Sequence, residues 1–114
     1  MCIDIYHNNR WRKSRETLQL LRDNGYEPKV IEYLKTPPDV NELNNICKKL
    51  SKRPKDIIRK GEKEYKLLKI DKIDRDDDLI KAMVKHPKLI ERPIVIRGKK
   101  GIIGRPPENV LKLL

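Results

Sequence analysis

A strand, a polar turn and a helix follow one another before Leu21, and this succession constrains the fold more than any other feature of the chain. Ile3, Ile5 and Tyr6 give residues 3–6 the apolar content of a short strand. His7-Asn8-Asn9-Arg10-Trp11-Arg12-Lys13 is a polar turn. Ser14 reads as the N-cap of a helix over 14–24 with apolar positions Leu18, Leu20 and Leu21, and Glu16 places a carboxylate in its first turn. Asn24-Gly25 is a C-cap signal, and Lys29-Val30-Ile31-Glu32-Tyr33 is a second strand. Strand, helix and strand within about 30 residues make a βαβ unit, with parallel strands and a right-handed crossover.

A loop between the end of a strand and the start of a helix suits an anion. Backbone N–H groups and the positive end of the helix dipole converge there. Arg10, Arg12, Lys13 and Arg15 crowd this turn, yet it holds no cysteine, no serine-plus-base pair and no metal-ligand cluster. The formal charge of +11 points the same way, to anions from small oxyanions to nucleic acid or an acidic partner protein. The competing reading is a solvated lysine-rich surface, because the lysines are spread along the chain.

The length of 114 residues suits one domain, 1–114, with a modest core. With one Trp, four Tyr and no Phe, the interior falls to Leu, Ile and Val. Cys2 and Cys47 form neither a CxxC pair nor a disulfide framework. Cys47 lies on the apolar side of a helical pattern and reads as core. No signal peptide and no apolar run near the ~20 residues of a membrane span are present, so a reducing cytoplasm is the expected home.

Thr36-Pro37-Pro38-Asp39 stops the second strand and opens a helix over about Val40–Leu50, capped by Asp39. From Lys52 to His86 there is no strand pattern. Pro54–Arg59 and Lys63–Lys69 read as short helices. Asp76-Asp77-Asp78 caps a helix carrying Leu79, Ile80, Met83 and Val84, which His86-Pro87 ends. Arg92–Ile96 is a third strand, Arg97–Gly101 a hairpin turn, and Ile102–Gly104 a fourth strand antiparallel to the third. Pro106-Pro107-Glu108 opens a last helix, Val110–Leu114. The expected architecture is an α/β thioredoxin-like fold: a four-stranded mixed sheet flanked by helices, in the order βαβ, helical insert (about 39–87), ββα.

Motifs in the same order along the chain are Ile5-Tyr6-His7-Asn8, Lys13-Ser14-Arg15-Glu16-Thr17-Leu18, Glu32-Tyr33-Leu34-Lys35-Thr36-Pro37-Pro38, Ile58-Arg59-Lys60, His86-Pro87, Leu89–Val95 and Gly104-Arg105-Pro106. In these the chain resembles the glutaredoxin-linked arsenate reductase family along essentially its whole length. The resemblance implies that a cysteine in the first loop attacks arsenate, and that glutathione and glutaredoxin complete its reduction to arsenite. It places the three oxyanion-binding arginines on Arg59, Arg92 and Arg105. It also matches Pro93 to a cis proline facing the loop, and His7, Ser14 and Arg15 to the loop's other positions.

One departure governs the chemistry. The family's loop reads His-Asn-Pro-x-Cys-x-x-Ser-Arg, and counting from His7 puts Trp11 at the cysteine, Asn9 at the proline and Arg12 where a small residue is commoner. An indole forms no thiolate, no covalent oxyanion adduct and no mixed disulfide. Cys2 lies four extended residues from Tyr6, at ~3.3 Å each, and Cys47 lies on another helix. Trp11 has two readings, packed on a guanidinium of the Arg59/Arg92 side or exposed for recognition. His7, with no thiol to activate, reads as a turn residue making local hydrogen bonds.

Three functions follow as expectations. The first is a family protein that has lost the reducing step and binds an oxyanion (arsenate, phosphate or sulfate) weakly or not at all. The second is a non-catalytic interaction module, since the family includes Spx-type regulators that bind RNA polymerase α; their usual CxxC is missing from this loop. The third is single-stranded nucleic acid bound by the interleaved Arg10-Trp11-Arg12-Lys13. A monomer with no resident cofactor, no metal and no membrane contact is expected, glutathione and glutaredoxin being the reductants the resemblance implies.

Overall fold

The computed structural model describes residues 2–114. β1 (Ile3–His7), α1 (Arg12–Asp23) and β2 (Lys29–Glu32) form the first unit, and β1 and β2 are parallel with Ile5 opposite Val30. β3 (Ile94–Arg97) and β4 (Lys100–Ile103) close a mixed four-stranded sheet in the order β2-β1-β3-β4. β3 is antiparallel to both neighbours, so Val95 faces Ile5 on one side and Ile102 on the other. This is the thioredoxin-like arrangement expected from the order of elements.

The chain divides into two compact units. One contains the sheet and comprises the residues up to Thr36 together with Arg92–Leu114; the other is Pro37–Glu91, slightly wider than the expected helical insert. In the sheet unit, Ile3, Ile5, Leu21, Val95 and Val110 form a buried cluster that Leu18, Leu20, Tyr26 and Ile102 complete. The two central strands are buried on both faces, since Tyr6, Ile94 and Ile96 are also inside. β2 is an edge strand, and its exposed Lys29 and Glu32 discourage further strand pairing.

In the helical unit, α2 (Val40–Leu50) starts at Asp39, whose carboxylate accepts the Glu42 N–H at 2.8 Å. α2 buries Leu43, Ile46, Cys47 and Leu50, and it packs on α4 (Asp76–Lys85), which buries Leu79, Ile80 and Met83. α3 (Lys63–Leu67) is short and has no buried residue. The three aspartates occupy the first turn of α4, where the dipole favours them, and Arg75 rather than an aspartate is the N-cap. Pro54–Ile57 is a 3₁₀ turn, and Ile58 makes an isolated antiparallel bridge to Ile90.

Local rules misplace several boundaries. β3 begins at Ile94 rather than Arg92, because the Pro93 nitrogen carries no hydrogen for a ladder bond. The hairpin loop is only Gly98-Lys99, with Gly98 at φ +62°, so Lys100 and Gly101 belong to β4. The final helix is a 3₁₀ helix over Pro107–Leu113. The Arg92–Pro93 and Arg105–Pro106 peptides are both cis; nothing in the sequence reading singled out the second.

Candidate functional site

The strand-to-helix loop is built around one serine. β1 delivers His7 and Asn8 into the interior, leaving them 3 % and 8 % exposed. Ser14 Oγ lies 2.6 Å from His7 Nδ1 and accepts the Asn8 N–H at 3.1 Å. His7 Nε2 faces Asn9 Oδ1 at 3.5 Å. An amide oxygen can only accept, so this geometry suits an imidazole carrying its proton on Nε2 and receiving the Ser14 hydroxyl hydrogen on Nδ1. Burial lowers the His7 pKa; the Asn9 hydrogen bond and the Glu32 charge oppose that shift, and the Arg15 and Arg22 charges add to it.

This network corrects the expected helix start. Trp11, with extended backbone at φ −103° and ψ 126°, is the N-cap of α1. Its N–H bonds the Asn8 carbonyl at 3.0 Å, and its own carbonyl accepts the Arg15 N–H at 3.1 Å. Ser14 therefore sits inside the first turn, its hydroxyl committed to His7 and Asn8. Glu16 lies one turn later, bonded to Arg12 Nε at 2.7 Å, and the first turn of α1 holds no acid. The Asn8 side chain closes the turn by accepting the Arg10 N–H at 3.0 Å.

Trp11 is both packed on a guanidinium and partly exposed. The Arg92 guanidinium stacks on the ring, 3.6 Å from its centroid, while Trp11 remains 43 % exposed and Arg92 is 3 % exposed. Arg15 is exposed and donates from Nη1 to the Asn9 carbonyl at 2.9 Å. Arg105 is exposed and follows the buried Gly104. Gly104 joins the strands to α1: its N–H bonds the Pro93 carbonyl at 2.8 Å, and its carbonyl accepts from Thr17 Oγ1 at 3.3 Å. A methyl group on Gly104 would lie 2.7 Å from Thr17 Oγ1 and 2.9 Å from Pro93 Cγ, which only glycine avoids.

His7, Trp11, Ser14, Arg15, Arg92, Pro93 and Arg105 all belong to the sheet unit. Arg59 belongs to the helical unit, where Glu91 lies 3.0 Å from its Nη1 and Glu62 lies 3.4 Å from its Nε. These two carboxylates gave no signal in the sequence, because neither ion pair follows from a motif. Beside the loop, His7, Asn9, Arg10, Glu32 and Lys35 line a cleft of about 410 Å³. Among the described residues the only thiols are Cys2, exposed before β1, and Cys47. Cys47 is buried in the helical unit, and desolvation, with a smaller contribution from the Asp76 charge, pushes its pKa up to about 11.

The ArsC family model matches residues 6–113. The chain belongs to the ArsC family. It is 47 % identical to an arsenate reductase of Haemophilus influenzae, over the full length of both chains. It is 42 % identical to an arsenate reductase of Neisseria meningitidis serogroup A, covering 98 % of this chain and 97 % of the relative. The structure of an arsenate reductase from Vibrio cholerae superposes with a TM-score of 0.96 at 46 % identity, covering 100 % of this chain and 98 % of that one. Membership of the ArsC family and the α/β architecture thus rest on sequence and structure together. Among the described residues no helix is long and apolar enough to cross a membrane.

Proposed function

We propose that this chain is an ArsC-family protein in which the thiol-dependent reduction of arsenate has been lost. The observation that carries this reading is Trp11. An indole stacked on Arg92 stands at the N-cap of α1, where the loop motif would place the nucleophilic sulfur. Without sulfur there, arsenate has no covalent acceptor, and a glutaredoxin-type reductant has no mixed disulfide to resolve. The remaining thiols do not replace it: Cys2 lies at the opposite end of β1 from His7, and Cys47 is buried and held in its protonated form. The basic loop and its buried arginine remain suited to an oxyanion such as arsenate, phosphate or sulfate.

The test is a reductase assay with arsenate, glutathione and glutaredoxin, run beside the Haemophilus influenzae relative. The unmodified chain is expected to stay at background, and Trp11→Cys to rise above it. Turnover by the unmodified chain comparable to that of the relative would end this reading.

A further inference from the structure

We propose that the segment from Lys60 to Lys72 binds the surface of an anionic lipid bilayer, with Leu67 and Leu68 inserted among the lipids and the lysines on the headgroups. Lys60, Lys63, Lys66, Lys69 and Lys72 recur every third residue, and all five are exposed. α3 carries Lys63, Lys66 and Leu67, which stand three and four positions apart and so share one side of the helix. Leu67, at 74 % exposure, is the most exposed large apolar side chain among the described residues, and Leu68 follows it at 42 %. The segment is nonetheless anchored: Ile70 is buried, and the 3₁₀ turn Ile70–Lys72 packs against α3. The acids between these lysines offset little of the charge. Glu62 pairs with Arg59 at 3.4 Å, and Glu64 is half-buried with its Oε2 shielded from solvent. Asp71 is the only exposed acid between Lys60 and Lys72. None of the five lysines makes an ion pair among the described residues.

The occupant's chemistry follows from the mixture of groups. A nucleic acid would use the lysines and leave the leucines in water. A stable protein interface buries about 1,600 Å² and is depleted in lysine, whereas this patch sets two leucines among five lysines. An anionic bilayer takes both at once. The lysine stems lie along the acyl boundary while their ammonium groups reach the headgroup phosphates and carboxylates, and a leucine needs only shallow insertion. Binding at the surface requires no spanning helix, so a search for a long apolar run passes over this segment. The chain's +11 charge adds long-range attraction to such a surface. This inference uses no residue of the strand-to-helix loop and stands apart from the loss of reductase activity.

The full chain would be sedimented with vesicles of phosphatidylcholine carrying about 30 % phosphatidylserine, and with vesicles of phosphatidylcholine alone, at roughly 50 mM and 200 mM salt. Retention by the anionic vesicles, little by the neutral ones and less at the higher salt are expected. Lys63→Gln with Lys66→Gln should weaken binding roughly 5- to 30-fold. Lys99→Gln with Lys100→Gln removes the same charge from exposed positions of the β3–β4 hairpin and should weaken it by no more than about threefold. Leu67→Gln should weaken binding roughly 3- to 20-fold, and Leu67→Ile should retain most of it. All these positions are exposed, and matching urea midpoints keep a folding defect out of the comparison. The proposal fails if phosphatidylserine adds no retention, if the Lys63 and Lys66 variant binds no more weakly than the Lys99 and Lys100 variant, or if Leu67→Gln binds as the unmodified chain does. Tighter binding to a soluble polyglutamate peptide than to the anionic vesicles at equal charge would assign the patch to an acidic protein and overturn it as well.

Discussion

Ser14 Oγ sits 2.6 Å from His7 Nδ1, and this short contact ties the end of β1 to the first turn of α1. The same oxygen accepts the Asn8 N–H, so one hydroxyl serves two buried polar groups. The loop therefore owes its shape to a fully buried side chain.

Ser14→Ala removes that hydroxyl and strands the Asn8 N–H and His7 Nδ1 in the interior. A buried group left without its partner costs about 1–3 kcal/mol. Urea denaturation should show a lower midpoint by the corresponding amount, with an unchanged slope. A midpoint equal to that of the unmodified chain would mean that the contact contributes nothing.

His7 titrates below 6.5 in the folded chain, and burial is the main cause. The unfolded chain binds the proton more readily, so stability rises with pH where the unfolded histidine is titrating. The stabilisation is complete above about 6.5 and declines as the pH falls toward the lowered folded value. His7→Gln should lose this decline, and urea midpoints measured across that range for both proteins test it.

Gly104→Ala drives a methyl group into Thr17 and Pro93 at 2.7 and 2.9 Å. Overpacking of this kind costs about 1–3 kcal/mol. Adding Thr17→Ser removes the Cγ2 that also lies 2.9 Å away, so the pair should cost less than the sum of the two single changes. Thermal or urea unfolding of the four proteins closes the cycle, and strict additivity would contradict the contact.

Trp11→Cys places a thiol at the N-cap of a twelve-residue helix whose first turn holds no acid. Its pKa should fall below the ordinary value of about 8.5, in the direction the helix dipole and nearby cations dictate. The pH dependence of iodoacetamide alkylation, measured on that protein with Cys2 also replaced by Ser, reports it directly. A pKa at or above 8.5 would show that the loop no longer supports a thiolate.

Cys47, with its pKa near 11, holds only about one thiolate in a thousand at pH 8. It is also buried, so alkylation should reach Cys2 promptly and Cys47 only once the chain unfolds. Mass spectrometry after timed labelling distinguishes the two sites. Equal rates would mean that α2 opens far more readily than its packing implies.

Much of this architecture was legible in short-range patterns. The βαβ unit, Asp39 as a cap and Cys47 as core all follow from periodicity and capping, which act within one element. Reading Ser14 as a cap failed because its hydroxyl is drawn to His7 and Asn8, and a buried bond outranks the local preference. The hairpin is tighter than expected because Gly98 alone supplies the positive φ that the turn requires. The Glu91 carboxylate beside Arg59 gave no warning, since an ion pair across 32 positions leaves no periodic trace.

Residue order alone settled the element order, the charge of the loop and the absence of sulfur from it, because each is a matter of which atoms the chain carries and how they repeat. Tertiary packing decided that Arg92 lies beneath Trp11, that Ser14 faces inward and that Gly104 leaves room for Thr17 and Pro93. Such contacts join side chains distant in the chain, and only the closed sheet with α1 across it brings them within van der Waals range.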